Sequence, residues 1–122
     1  MTLEDIVIES DDLVVNKASG VANFSGKVIV WFDEAVLKTT GLQIMVRDIG
    51  KKRTLEKIVI PHKLTAMNSK ENEVIIADGA EYIVSEKMLR FQGNIYMQKD
   101  QHLVKCDELM YLTKIQKIGA AD

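Results

Sequence analysis

The chain repeats itself. Laid against itself at a constant offset of 67 positions, it brings Phe24-Ser25-Gly26-Lys27-Val28 onto Phe91-Gln92-Gly93-Asn94-Ile95 without a gap. The same offset places Val7-Ile8 on Val74-Ile75, Asp11 on Asp78, Asp33 on Asp100, Lys38 on Lys105 and Leu42 on Leu109. Similar pairs fill the intervals: Val15 with Tyr82, Ala22 with Leu89, Val30 with Met97, Leu37 with Val104, Ile44 with Tyr111. A repeat on this scale, roughly 7–46 and 74–113, is one structural unit used twice, so its residues are read in pairs. At 122 residues the two units make a single domain, 1–122.

The repeated unit alternates. Ala22, Phe24, Val28 and Val30 are apolar, while Asn23, Ser25 and Lys27 between them are polar; Leu89, Phe91, Ile95 and Met97 alternate likewise with Arg90, Gln92 and Asn94. Side chains on a strand point to opposite faces with period two, so each segment is a strand with a dry and a wet face. Gly26 and Gly93 fall on the dry side, where a glycine marks a bend, a bulge or a close approach. Further strands read as 5–10, 13–16, 36–39, 42–47, 55–60, 63–68, 73–77, 81–84, 103–106 and 108–113. Turn residues separate many of them, as at Lys17-Ala18-Ser19-Gly20 and Asn68-Ser69-Lys70-Glu71-Asn72. Short strands at this spacing imply an all-β sandwich or barrel, with a parallel β-solenoid as the alternative; mild helical periodicity occurs only near 64–73 and at the C-terminus. The dry face collects Leu13, Val15, Ala22, Phe24, Val28, Val30, Leu37, Leu42, Ile44, Ala80, Tyr82, Leu89, Phe91, Ile95, Met97, Val104, Cys106, Leu109 and Tyr111.

Composition excludes several classes. A net charge of −2 gives no basic surface for nucleic acid. One cysteine, Cys106, allows no intrachain disulfide and no cysteine-rich metal site; on the dry face it reads as a small buried hydrophobe. His62 and His102 have no partner at a metal-ligand spacing, so no metal and no cofactor is expected. Asp11, Asp12, Asp78, Asp33 and Asp100 recur at equivalent turns, which suits turn capping better than acid–base work. No catalytic constellation is visible, so the chain is not read as an enzyme. Lys51-Lys52-Arg53 is the one basic run, either a solvated hairpin tip or a contact for phosphates of a lipid headgroup. Trp31 breaks its strand's alternation and points to the polar side, either as an interface anchor or as a residue covered by a neighbouring loop. No apolar run approaches the roughly 20 residues that span a bilayer.

The pattern Ser10-Asp11-Asp12-Leu13, Phe24-Ser25-Gly26-Lys27-Val28 and Leu37-Lys38-Thr39-Thr40-Gly41-Leu42 resembles the repeat of the OstA-like, LptA-type lipopolysaccharide-transport family. Its second copy runs through Ala77-Asp78-Gly79-Ala80, Phe91-Gln92-Gly93-Asn94-Ile95 and 104–111, so the resemblance covers roughly 6–113. It implies a twisted antiparallel β-jelly roll built from two similar halves and open at both ends. It also implies a periplasmic carrier whose apolar interior holds the acyl chains of lipopolysaccharide. The dry-face residues, apart from Ala22, Ala80 and Cys106, would line that interior; Gly26 and Gly93 would keep it clear; Lys51, Lys52 and Arg53 would meet the headgroup. Inner- and outer-membrane components of the family, or further copies in an end-to-end homo-oligomer, would join by edge-strand pairing at 6–10 and 108–113. Export would then require a signal that Met1–Asp5 does not supply. The reading from a different class is a structural β scaffold that assembles through its edges and carries no lipid.

Overall fold

The computed structural model describes residues 2–3, 6–32, 34–49 and 52–112. Among them are eleven strands: β1 (Thr2–Leu3), β2 (Ile6–Glu9), β3 (Asp12–Asn16), β4 (Val21–Phe32), β5 (Ala35–Ile49), β6 (Lys52–Ile60), β7 (Leu64–Asn68), β8 (Glu73–Ala77), β9 (Gly79–Ile83), β10 (Met88–Lys99) and β11 (His102–Leu112). One 3₁₀ turn spans Val84–Glu86, and no α-helix occurs among the described residues. The sequence offset maps β2, β3, β4 and the start of β5 onto β8, β9, β10 and β11; β6 and β7 join the two units. The mildly helical window at 64–73 is β7, a turn and the start of β8. The C-terminal window and Thr113 lie outside the described residues.

The pairing register reduces the fold to one idea. Read β2 with β3, β6 with β7 and β8 with β9 as interrupted strands, and the chain becomes seven long antiparallel strands in sequential order. Each long strand has one half in each of two sheets. In one sheet β3, 21–25 of β4, 41–49 of β5, β6, β9, 88–92 of β10 and 108–112 of β11 are neighbours. In the other, β1, β2, 28–32 of β4, 35–39 of β5, β7, β8, 95–99 of β10 and 102–106 of β11 are neighbours. We call these the first and second sheets. The molecule is a meander folded across a crease transverse to its strands, which gives the two facing antiparallel sheets expected of a β-jelly roll. Phe32 of the second sheet meets Tyr82 of the first at a ring-centroid distance of 5.2 Å, so the walls touch across the interior.

The crease explains the glycines. Both β4 and β10 carry a bulge, at Gly26-Lys27 and Gly93-Asn94, and all four residues have positive φ. A bulge adds a residue to one strand and bends it. The expectation that these glycines keep the interior clear is corrected: a Cβ on Gly26 would lie 2.7 Å from Asp11 Oδ2, and one on Gly93 would lie 2.9 Å from Asp78 Oδ2. The space they leave is filled by the aspartates that interrupt β2–β3 and β8–β9. Those residues also tie the crease together, since the Asp11 and Asp78 amides donate to the Gly26 and Gly93 carbonyls at 2.8 and 2.9 Å. Asn94 Nδ2 adds a bond to Asp78 Oδ2 at 2.8 Å.

The crease also explains why β5 and β11 each read as two strands. On β5 the buried set is Leu37 and Thr39 before the crease, then Leu42 and Ile44 after it. The inward parity switches at Thr40-Gly41, which looks like a break in the alternation. On β4 the extra bulge residue absorbs that switch, so Phe24 and Val28 both point inward. The edges differ from expectation too. β2 is flanked by β1, so the open edges on one side are β1 in the second sheet and β3 in the first, and β11 is the edge on the other side, its final part being 108–112 of the expected segment.

Candidate functional site: an apolar groove between the sheets

The gap between the walls is lined by both sheets. Ile6, Val30, Phe32, Leu37 and Ala66 come from the second sheet, and Leu42, Ile58, Ile60, Tyr82 and Leu89 from the first. They enclose a cavity of about 60 Å³. Phe32, Ala35, Ala66 and Leu89 are shared with a larger cavity of about 160 Å³, whose walls add Met67, Asn68, Glu73, Ile75, Phe91, Tyr111 and Leu112. The two spaces therefore adjoin. A water molecule takes about 30 Å³ in the liquid. The interior as it stands holds a few methylene groups, so a ligand with several acyl chains enters only as the walls part.

The residues expected to line the interior divide by their distance from the edges. Val30, Leu37, Leu42, Tyr82 and Leu89 line the inner cavity, and Leu89, Phe91 and Tyr111 line the larger one. Phe24, Val28 and Ile95 are buried in the packed core, and Met97 and Leu109 pack against it. Ile44 and Val15 line a third cleft with Val46 and Arg53. Leu13, Val15, Val104 and Tyr111 are not buried: they are 44%, 48%, 42% and 37% exposed. Leu13 and Val15 pair with the buried Phe24 and Ala22, and Val104 with Met97, so they share the inward face in register. They are exposed because β3 and β11 are edge strands. Sequence reasoning missed Ile6, Phe32, Ile58, Ile60, Ala66 and Ile75 as wall residues; Ile58, Ile60 and Ala66 lie between the two repeats, where no twin residue pointed to them.

Asn68, Glu73 and Tyr111 interrupt the apolar walls, and the last two form a pair. The Tyr111 hydroxyl, from β11 in the first sheet, donates to Glu73 Oε1, from β8 in the second, at 3.0 Å. Glu73 is buried, and the strand pattern around it did not single it out. Burial, followed by the bond to the Glu73 carboxylate, raises the Tyr111 phenol above its ordinary value of 10.0. A raised folded-state value makes the bond's contribution complete below the unfolded-state value and lost as pH climbs through the folded one. Tyr111→Phe is therefore expected to lower stability by about 1 kcal/mol at pH 8. The gap between the two proteins should close well above pH 10, as read from paired urea titrations; a gap that persists there would show that the phenol's proton is not what is lost.

Other candidates fall outside the groove. Lys52 and Arg53 are exposed at the β5–β6 hairpin, and Arg53 Nε is 3.1 Å from Asp48 Oδ1; Lys51 lies outside the described residues. Trp31 stands on the outer face of the second sheet, where Val7, Trp31, Val36, Met67 and Val74 form a row of cross-strand neighbours. The outer face of the first sheet instead carries ion pairs, among them Lys57–Glu81 at 3.0 Å and Arg90–Glu108 at 2.8 Å. His62 and His102 are exposed, and His62 lies over Gly41 at the crease. Cys106 is half-buried against the core. No group of three or more His, Cys, Asp or Glu suited to a metal occurs among the described residues.

Comparison with known proteins agrees with this geometry. A protein of Rickettsia prowazekii (strain Madrid E), named only as uncharacterized protein RP507, is 36% identical over 113 residues, covering 93% of this chain and 78% of that one. The crystal structure of LptH from Pseudomonas aeruginosa, described as the LptA-homologous periplasmic component of the lipopolysaccharide transport device, superposes with a TM-score of 0.70. At 15% identity, over 91% of this chain and 78% of LptH, that likeness shows the fold. Residues 7–117 match the family described as LptA/(LptD N-terminal domain) LPS transport protein, and with so much of its length inside that match, from the start of the first repeat to beyond the second, the chain belongs to this family of lipopolysaccharide transport proteins.

Proposed function

We propose that the chain is a non-enzymatic periplasmic carrier that shields the acyl chains of lipopolysaccharide between its two sheets. The observation that carries this reading is the pair of adjoining cavities between the sheets, whose walls are apolar on both sides except at Asn68, Glu73 and Tyr111. Apolar chains gain roughly 25 cal/mol for each Å² they remove from water, so such a groove favours a lipid once its walls part. The headgroup would stay outside. Lys52 and Arg53, beside the cleft that Val15 and Val46 line, offer cationic donors to its phosphates.

In this reading the domain bridges inner- and outer-membrane components through its edge strands. Support comes from the apolar side chains exposed there: Leu13, Val14 and Val15 on β3, and Leu103, Val104, Met110 and Leu112 on β11. An unpaired strand with such side chains is a template for strand addition by a partner or a second copy. The same observation supports the scaffold reading, so lipid occupancy is the test.

A photoreactive side chain at position 89, which lines both cavities, should crosslink to lipopolysaccharide that co-elutes with the protein in gel filtration. The same group at position 59, on the outer face beside Glu81, should not. Co-elution with equal crosslinking from both positions would place the lipid outside the groove. No co-elution by the folded protein would favour the edge-assembled scaffold.

A further inference from the structure

We infer that Glu73 and Tyr111 make one mouth of the groove charge-selective: it admits a neutral amphiphile carrying hydrogen-bond donors, such as a hydroxyl-bearing acyl compound, and rejects an anionic one. The inference rests on the carrier reading above and specifies what enters at this mouth.

The repeat supplies an internal comparison. At the 67-residue offset, Glu73 corresponds to Ile6 and Tyr111 to Ile44. Both isoleucines are buried, at 4% and 1% exposure, and they sit in equivalent registers: Ile6 opposite Phe32 as Glu73 is opposite Lys99, and Ile44 opposite Ala22 as Tyr111 is opposite Leu89. The architecture therefore accepts apolar residues at both places. A carboxyl group at 6% exposure, where its twin is isoleucine, adds a desolvation cost that the fold does not require.

The site has a defined chemistry. The pair reaches across from one sheet to the other along the cavity of about 160 Å³, whose remaining walls include Phe32, Ala66, Ile75, Leu89 and Phe91. Because the phenol donates to Oε1, Glu73 Oε2 and the phenol's lone pairs remain as acceptors. Among the described residues no cationic side chain lines the cavity. Lys99, the register partner of Glu73 on β10, gives its ammonium to Glu71 at 3.0 Å and is also attracted by the charge of Glu73. A hydroxyl or amide N–H arriving on an apolar chain thus meets acceptors, whereas a phosphate meets the Glu73 carboxylate, for which Lys99, paired with Glu71, is only a shared counter-charge. Like charges brought together in such surroundings weaken binding by roughly tenfold or more.

The experiment compares 1-dodecanoylglycerol with dodecyl phosphate, both below their micellar concentrations, as competitors of the neutral fluorophore N-phenyl-1-naphthylamine. The neutral lipid should compete at least roughly tenfold better on the wild type. In Glu73→Gln, which keeps the shape and an acceptor for Tyr111, that ratio should fall by about tenfold, chiefly through stronger binding of dodecyl phosphate. Glu73→Ile, which installs the twin residue, should behave the same way and serves if the glutamine variant does not fold. Tyr111→Phe keeps the charge and should keep most of the discrimination. Binding of both lipids with a ratio unchanged by either Glu73 variant would overturn this inference and leave the carrier reading standing. No competition by either lipid on the wild type would overturn both.

Discussion

Replacing Phe91 by alanine should lower the unfolding free energy by about 3–5 kcal/mol. Its side chain is fully buried, between the cross-strand neighbours Ala80 and Leu109. Truncating it removes transfer energy and leaves a void that two sheets joined by shared strands cannot readily close. Domains of this size have roughly 5–15 kcal/mol to lose, so the variant should be marginal at physiological temperature. Phe24→Ala, at the twin position and 3% exposed, should cost a similar amount. Urea midpoints read both, and a loss below about 1 kcal/mol would show that the interior is not close-packed at this point. A charge at Phe91 should unfold the domain, so a lost lipid signal in such a variant would not identify a binding residue. Leu89, half-buried and on both cavity walls, is the better position for probing occupancy.

Gly93→Ala should cost about 2–4 kcal/mol although it adds one carbon. Gly93 has φ +85°, and an L-residue in that region loses roughly 1–2 kcal/mol. The new Cβ would also sit 2.9 Å from Asp78 Cβ. Asp78 cannot withdraw without breaking its own amide's bond to the Gly93 carbonyl. Gly26→Ala, 2.9 Å from Asp11 Cβ, should match it. A double-mutant cycle separates the causes: Asp78→Gly removes the collision and leaves the backbone strain, so the pair should couple favourably by about 1 kcal/mol. Additive losses would assign the whole cost to the positive φ.

Much of the architecture was legible because the repeat doubles every signal. Phe24 with Phe91 and Val28 with Ile95 each identify the buried face of their strand. The crease was not legible, for a physical reason. Period-two reasoning assumes that a strand keeps one face inward, and β5 changes its inward face at Thr40-Gly41, so one long strand reads as two. The glycines were recognised as special but given the wrong neighbour, because the aspartates they accommodate arrive from another strand. Leu13, Val15 and Val104 were counted as interior because alternation reports a face, not whether another sheet covers it. Glu73 gave no signal alone, as a polar residue opening a strand is ordinary. Setting it beside Ile6 in the repeat makes it unusual, and that comparison needs only the sequence.

The crease has a mechanical consequence. Each wall of the trough is the continuation of the other, so one long side of it is closed by backbone and only the opposite side can gape. Widening it flexes a single sheet at its bulges and exposes apolar surface, while the ladders within each wall stay paired. A ligand too large for the resting cavities is then admitted against a cost in hydration rather than in broken strand pairs. The trough runs across the strands, from β1 and β3 at one end to β11 at the other. Any strand added at either end that follows the same bend would lengthen both walls at once, with no change to what already lies between them.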